Sequence, residues 1–282
     1  MSPGGLLAVH TFRTGPNGRL PLVLLHGFPL DHRMWADVVD LLPGDRTVLA
    51  PDLPGLGSSP CGEDLAHALG SPAAPSLDTA ADAVAGTLQA AGIERAVIAG
   101  LSMGGYVAMA LVERHPDLVA GLGLLDTKST ADDDGARANR LRIAAEVLAE
   151  GGVDAVLGMG RALLGQTSRS LRPDLVGRLE LWIQDQGATG VAWSQRAMAA
   201  RPDRTGVLAG FARPALVLVG AEDEVTPPAA ARHLEATLPA AELVVVLLSG
   251  HMTSVECPEP VAAALGRLML RAEAAGASRH TS

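Results

Sequence analysis

Ser102 lies in Gly100-Leu101-Ser102-Met103-Gly104-Gly105, between the apolar run Ala96-Val97-Ile98-Ala99 and a helix-like run from Tyr106 to Arg114. A serine in a Gly-x-Ser-x-Gly turn between a strand and a helix is pushed out at the top of a sheet, where a substrate can reach its hydroxyl. The turn is so tight that only small residues fit two places either side of the serine, which accounts for Gly100 and Gly104. A serine hydroxyl attacks a carbonyl only when a base takes its proton, and the base needs an orienting acid.

Of the eight histidines, His251 fits the base best. It lies in Ser249-Gly250-His251-Met252, just past the apolar run Leu243 to Leu248, on a loop that can reach across a sheet edge. Two carboxylates follow strand-like runs. Asp223 follows Ala215 to Val219 and is the preferred acid; Asp126 follows Val119 to Leu125 and is the reserve. An oxyanion hole needs two N–H groups aimed at the developing charge. Met103 supplies one, at the positive end of a helix. Phe28 in His26-Gly27-Phe28-Pro29 supplies the second, since Pro29 has no N–H.

These residues require a sheet with helices between its strands. Strand-like runs cover Leu6 to Phe12, Leu20 to Leu25, Arg46 to Ala50, Ala96 to Ala99, Val119 to Leu125, Ala215 to Val219 and Leu243 to Leu248. Continuous apolar runs suit strands buried on both faces. Helical spacing covers Asp31 to Leu42, Leu77 to Ala91 (Ser76 as N-cap, Gly92 at its end), Ala229 to Leu238 and Pro260 to Ala275. Alternation of this kind predicts an α/β fold with a mostly parallel sheet. The Gly-, Pro- and Ala-rich stretch Ser58 to Ser76 reads as a loop, and Gly276 to Ser282 as a frayed tail.

The rhythm breaks after Asp126. From 128 to 211 the sequence holds only helix-like segments: Ala136 to Glu150, Val153 to Leu164, Arg172 to Gln186 and Ala192 to Ala200. We read 1–127 and 212–282 as a core domain and 128–211 as a helical cap inserted at the ligand-binding end of a strand. Met159, Leu163, Trp182 and Trp193 in the cap, with Leu101 and Met252 beside the catalytic candidates, are the expected substrate contacts. Leu164 and Met198 share the apolar helical spacing of the cap.

Composition excludes several classes. The formal net charge is -9 and Lys128 is the only lysine, which argues against a phosphate-backbone partner. There is no run of 18 apolar residues for a membrane span and no signal-peptide pattern in Met1 to His10. The only cysteines, Cys61 and Cys257, make no disulfide framework, so a reducing cytoplasm is the expected location. No Cys/His cluster has metal-ligand spacing.

The remaining polar residues read as structural. His26 is expected to bond beneath the oxyanion loop and Asp52 to hold its Pro-Gly turn. His32, Glu222 and Glu224 read as solvent-facing, and His10, His67, His115, His233 and His280 carry no signal. No basic side chain stands at an obvious strand end to clamp an acidic substrate; Arg137, Arg140 and Arg142 near the cap entrance read as exposed.

Taken together, His26-Gly27-Phe28-Pro29, Asp52-Leu53-Pro54-Gly55-Leu56-Gly57, the Ser102 turn, Asp223 before Pro227, and Gly250-His251 resemble the α/β-hydrolase fold family along nearly the whole chain. The order Ser102, Asp223, His251 is that of the family. Within it the chain is similar to carboxylesterases and enol-lactonases, partly through Gly250-His251-Met252 and Glu256-Cys257-Pro258-Glu259. The resemblance implies a cofactor-free serine hydrolase of a small-molecule ester or lactone, with Ser102 as nucleophile, His251 as base, Asp223 as acid and Phe28 and Met103 as oxyanion donors. It leaves open a cofactor-free perhydrolase or haloperoxidase activity from the same triad.

Overall fold

Strands that must be covered on both faces cannot alternate polar and apolar residues, and the central strands here do not. The computed structural model describes residues 5–278. Its strands are β1 (Val9–Arg13), β2 (Leu22–Leu25), β3 (Val48–Pro51), β4 (Ala96–Leu101), β5 (Val119–Leu125), β6 (Ala215–Gly220) and β7 (Ala241–Val246). Every residue of β2 to β6 is buried. They form one seven-stranded sheet in the order β1-β3-β2-β4-β5-β6-β7. All neighbours are parallel except β1, which runs antiparallel to β3 at one edge. The two edge strands are the ones with exposed residues.

Helices α1 (Ala36–Leu41), α2 (Gly62–Leu69), α3 (Leu77–Ala90) and α4 (Met103–Arg114) lie between the early strands. Between β5 and β6 come α5 (Asp134–Glu150), α6 (Asp154–Leu157), α7 (Met159–Ala162), α8 (Gln166–Leu171), α9 (Asp174–Gln184), α10 (Ala188–Ala199) and α11 (Thr205–Ala209), with no strand among them. The later part holds α12 (Pro228–Thr237), α13 (Thr253–Glu256) and α14 (Pro258–Ser278). α14 packs on β4, β5 and β6 with α1 beside it, and α4 packs on β2, β4 and β5 with α3 beside it. Fully buried Trp35 and the leucines of β2 anchor this core, each worth about 1.5–3 kcal/mol in burial.

Several elements differ from the sequence reading. Asp31 caps a 3-10 turn, His32–Trp35, before α1, accepting the Arg33 N–H at 3.0 Å. Helix α2 lies inside the expected Ser58 to Ser76 loop; its Leu65 and Ala66 are buried, and Gly62 gives the Trp193 ring room to lie against it. The Val153 to Leu164 run divides at Gly158 into two short turns. β7 ends at Val246, and a turn follows at Leu247 and Leu248, where Leu248 adopts a positive φ of 59°. α14 runs through Gly276 to Ser278, past the start of the expected tail; Arg279 to Ser282, with His280, and Met1 to Gly4 lie outside the described residues.

Candidate active site

Strands β4, β5, β6 and β7 are parallel neighbours. Ser102, Asp126, Asp223 and His251 therefore leave the carboxyl ends of four successive strands, the edge where open α/β sheets bind ligands.

Ser102 sits at φ 54°, ψ -112°. A non-glycine residue held there stores about 1–3 kcal/mol of strain. The neighbours enforce it: Ser102 donates its N–H to the Leu125 carbonyl at 2.9 Å, and its own carbonyl accepts from the Thr127 hydroxyl at 2.9 Å and the Tyr106 N–H at 3.2 Å. A Cβ on Gly100 would stand 2.1 Å from the Gly104 carbonyl oxygen, and one on Gly104 would stand 2.1 Å from that of Leu25. Glycine is the only residue that fits at either place.

His251 is buried and its Nδ1 lies 2.8 Å from Asp223 Oδ2. Asp223 Oδ1 accepts the Val225 and Thr226 N–H groups at 2.8 and 2.9 Å, and Oδ2 accepts the Thr226 hydroxyl at 2.8 Å. Burial pushes the Asp223 carboxyl up, but the bonds from His251 and Thr226 outweigh it, and the net shift is down. Asp223 is thus an ionised acceptor, and His251 donates to it from Nδ1. Nε2 has no hydrogen-bond partner among the described residues, and no hydrogen bond joins it to Ser102 Oγ.

The reserve acid, Asp126, does not bond His251. Its Oδ1 accepts the Gly220 N–H at 2.9 Å and its Oδ2 meets the Thr253 hydroxyl. Complete burial, and then the charge of Asp223, push its carboxyl well above the usual range.

The Phe28 loop passes over the serine. A Cβ on Gly27 would come 3.2 Å from Leu101 Cδ2 and 3.7 Å from Ser102 Cβ. Among the described residues, neither the Phe28 nor the Met103 N–H has a hydrogen-bond acceptor. His26 holds the loop from beneath: its Nδ1 bonds the Gly27 carbonyl at 3.0 Å and its Nε2 accepts the Leu53 N–H at 2.8 Å. Burial lowers its pKa and keeps it neutral. Asp52 holds its turn as expected, accepting the Ser58 N–H at 2.9 Å.

Other placements depart from expectation. His32 bonds Asp52 at 2.8 Å and stacks on His10 at 4.4 Å, where solvent was expected; the bond to Asp52 raises its pKa. Glu222 is turned to Thr167, accepting its N–H at 2.8 Å and its hydroxyl at 2.5 Å, while Glu224 is exposed. Lys128, two residues past Asp126, is a basic residue at a strand end that the sequence reading missed. Arg137 and Arg142 are exposed as read, but Arg140 bonds Asp132 at 2.6 Å. Asp31, His32 and Asp52 bring ligand-type atoms within 4.8 Å of one another, but Arg33, Gln186 and Ser58 already occupy their oxygens.

The segment between β5 and β6 touches the site directly. Leu163 accepts the His251 N–H through its carbonyl. Leu101 and Met252 are buried beside Ser102 and His251, and Met159 is half-buried. Trp182 lies under the Arg33 and Arg178 guanidinium groups at 5.8 and 5.1 Å, and Trp193 packs on Gly62. The carboxylate of Glu256 is buried among three N–H groups, from Gly165, Gly250 and Met252, at 2.8, 2.9 and 3.1 Å. Gln186 joins Gly57 to Asp31, at 2.8 Å each. Glu256 and Gln186 were missed as site residues. Glu256 left one signal, five residues after the candidate base.

A sheet of this order, with a strained serine and a buried His–Asp pair on one edge, is the architecture of an alpha/beta hydrolase. The chain belongs to the alpha/beta hydrolase fold family, whose model matches residues 21–258. It is 30% identical over 88% of its length, and 93% of the relative's, to a pimeloyl-(acyl-carrier protein) methyl ester esterase from Neisseria meningitidis serogroup C. It is similar to a thermophilic esterase from Thermogutta terrifontis, solved with malate bound, at 34% identity and a TM-score of 0.85, covering 94% of this chain and 93% of that one. It shares the fold of an enol-lactonase from Burkholderia xenovorans LB400 at 22% identity and a TM-score of 0.78, over 95% and 100% of the two chains. No described helix is long and apolar enough to cross a membrane.

Proposed function

We propose that this protein is a serine hydrolase that cleaves a small-molecule carboxylic ester or lactone through an acyl-enzyme. The observation that carries the reading is the buried 2.8 Å bond between His251 Nδ1 and Asp223 Oδ2, on the same sheet edge as the strained Ser102. Two esterase relatives at 30% and 34% identity support the substrate class.

Ser102 Oγ attacks the ester carbonyl carbon while His251 Nε2 takes its proton. The carbonyl oxygen becomes an oxyanion and accepts the Phe28 and Met103 N–H groups. Asp223 stabilises the imidazolium through Nδ1. His251 then gives its proton to the leaving alkoxide, and the alcohol departs from the acyl-Ser102 ester. Water, deprotonated by His251, attacks that ester, and the acid leaves as Ser102 recovers its proton. The sequence segment 128–211 acts as the cap, with Leu101, Met159, Leu163, Trp182, Trp193 and Met252 as the substrate contacts. The two unpaired cysteines fit work in the cytoplasm.

The test is Ser102→Ala, assayed on short aryl esters and lactones beside the wild type, with a fluorophosphonate probe for Ser102. The expected result is hydrolysis and labelling by the wild type and loss of both in a folded variant. Near-normal hydrolysis by Ser102→Ala overturns the reading.

A further inference from the structure

Three cations meet one carboxylate near the serine. Arg201 bonds both oxygens of Asp132 at 2.7 Å, Arg140 Nε bonds Oδ2 at 2.6 Å, and Lys128 Nζ lies 3.3 Å from Oδ1. Three positive charges against one negative leave an excess of two. Burial separates the three: the Asp132 and Arg201 side chains are 2% exposed, Arg140 is 23% and Lys128 is 29% exposed.

Arg201 is committed to structure. It also donates to the Met198 and Thr130 carbonyls and lies over the Tyr106 ring at 4.1 Å. The other two have donors to spare. Arg140 gives Nη1 to Gln195 and Met198, which leaves Nη2, and Lys128 makes only its Asp132 contact among the described residues.

The cluster stands next to the catalytic edge. Lys128 follows Thr127, whose hydroxyl bonds the Ser102 carbonyl. Tyr106 is one helical turn along α4 from Ser102 and donates its N–H to the Ser102 carbonyl. Burial pushes the Tyr106 phenol up; Arg201 and Arg140 act on it from one side of the charge balance, Asp132 and Asp223 from the other. The one tyrosine of the chain is therefore in electrostatic reach of both the cationic cluster and the acid that holds His251.

Partly buried cations without counter-charges are costly, and an anion that completes them is favoured. The chain as a whole is acidic, with a net charge of -9, so a local excess of this sign is the exception. We propose that Lys128 Nζ and Arg140 Nη2 hold a carboxylate carried by the ester substrate, remote from the scissile bond. This deepens the esterase reading and rests on it.

The experiment compares matched ester pairs that differ in one remote charge. Methyl hydrogen adipate against methyl hexanoate puts the carboxylate on the acyl side; 4-acetoxybutanoate against butyl acetate puts it on the alcohol side. The readout is the ratio of kcat/KM, anionic over neutral, for the wild type, Lys128→Met, Lys128→Glu, Arg140→Gln and Arg140→Lys. A preference for the anionic member of at least one pair is expected. It should fall roughly ten- to hundredfold in Lys128→Met and Arg140→Gln, as the loss of one hydrogen bond to a charged group requires. It should fall further in Lys128→Glu and survive in Arg140→Lys.

A ratio of one or less in both wild-type pairs, with the neutral esters hydrolysed, overturns the proposal and leaves the esterase standing. A preference untouched in both the Lys128→Met and Arg140→Gln variants also overturns it. Fluorophosphonate labelling of Ser102 without turnover of any of the four esters overturns it as well. Absence of both labelling and turnover removes the esterase reading itself. If Arg140→Gln fails to fold, the two variants at the more exposed Lys128 decide.

Discussion

His251 donates its backbone N–H to the carbonyl of Leu163 at 3.0 Å, so the proposed base is held by the residue that ends α7, between β5 and β6. Glu256 reinforces the link, bonding Gly250 and Met252 on either side of His251 and Gly165 beyond Leu163. At Gly165 the two backbones touch: a Cβ there would stand 2.7 Å from the Gly250 N. Glu256→Gln keeps the size of the side chain but turns an amide donor toward one of three backbone donors. An unsatisfied buried N–H costs about 1–3 kcal/mol. The expected outcome is a lower unfolding midpoint in urea and a kcat reduced roughly ten- to hundredfold, since a loosened base loop costs positioning. A variant with wild-type kcat would show that the staple has no bearing on His251.

Asp223 and Asp126 are expected to separate on activity. Asparagine at 223 presents an amide donor to Nδ1 and favours the wrong imidazole tautomer, a change that costs about 10⁴ in kcat in serine proteases. Asp223→Asn is expected to lose activity on that scale, and Asp126→Asn, which makes no bond to His251, to lose less than about tenfold. Steady-state kinetics on one aryl ester measures both, and equal losses in the two variants would reassign the acid.

Asp126 also makes a prediction about pH. Its folded carboxyl is raised, by burial first and Asp223 second. A raised carboxyl binds its proton more tightly folded than unfolded, so its contribution is fully present below the unfolded value near 4 and is lost as pH rises toward the folded value. Asparagine is an uncharged isostere that can keep both partners, accepting from Gly220 and donating to the Thr253 hydroxyl. Asp126→Asn should therefore melt close to wild type at pH 4 and above it at pH 8. Thermal melts across that range check it; a gap that does not widen with pH would mean the carboxyl is not held neutral.

The parallel strands were legible because both their faces are buried, which leaves Leu22 to Leu25 and Ala215 to Val219 without a polar residue. The elbow was legible because its glycines answer to a local steric demand. His26 and Asp52 were read correctly for the same reason, being close in sequence to the turns they hold. What escaped was tertiary. His32 meets Asp52 across 20 residues, Thr167 meets Glu222 across 55, and Gly165 meets Glu256 across 91. No periodicity records such pairs. Helix α2 was hidden for a related reason: its Gly62 is there to admit Trp193 from a distant helix, and in sequence a glycine reads as a break.

Two glycine-to-alanine substitutions test the elbow's geometry against ordinary helix propensity. At Gly104 a Cβ would meet only backbone, at 2.1 Å from the Leu25 oxygen, 2.6 Å from the Leu25 carbonyl carbon and 2.8 Å from the His26 oxygen. None of these atoms can rotate aside, so the β2 end and the loop bearing Phe28 must move. Overpacking of this kind costs about 1–3 kcal/mol, and displacing one oxyanion donor costs about 10²–10³ in kcat. At Gly177, inside α9 and exposed, nothing lies within 4 Å of the added Cβ. Gly177→Ala should stabilise by about 0.5–1 kcal/mol with kcat unchanged. The pair is read by urea unfolding and ester turnover together. A fully active Gly104→Ala enzyme would mean that the contact between α4 and the β2 end does not set the position of the proposed Phe28 donor.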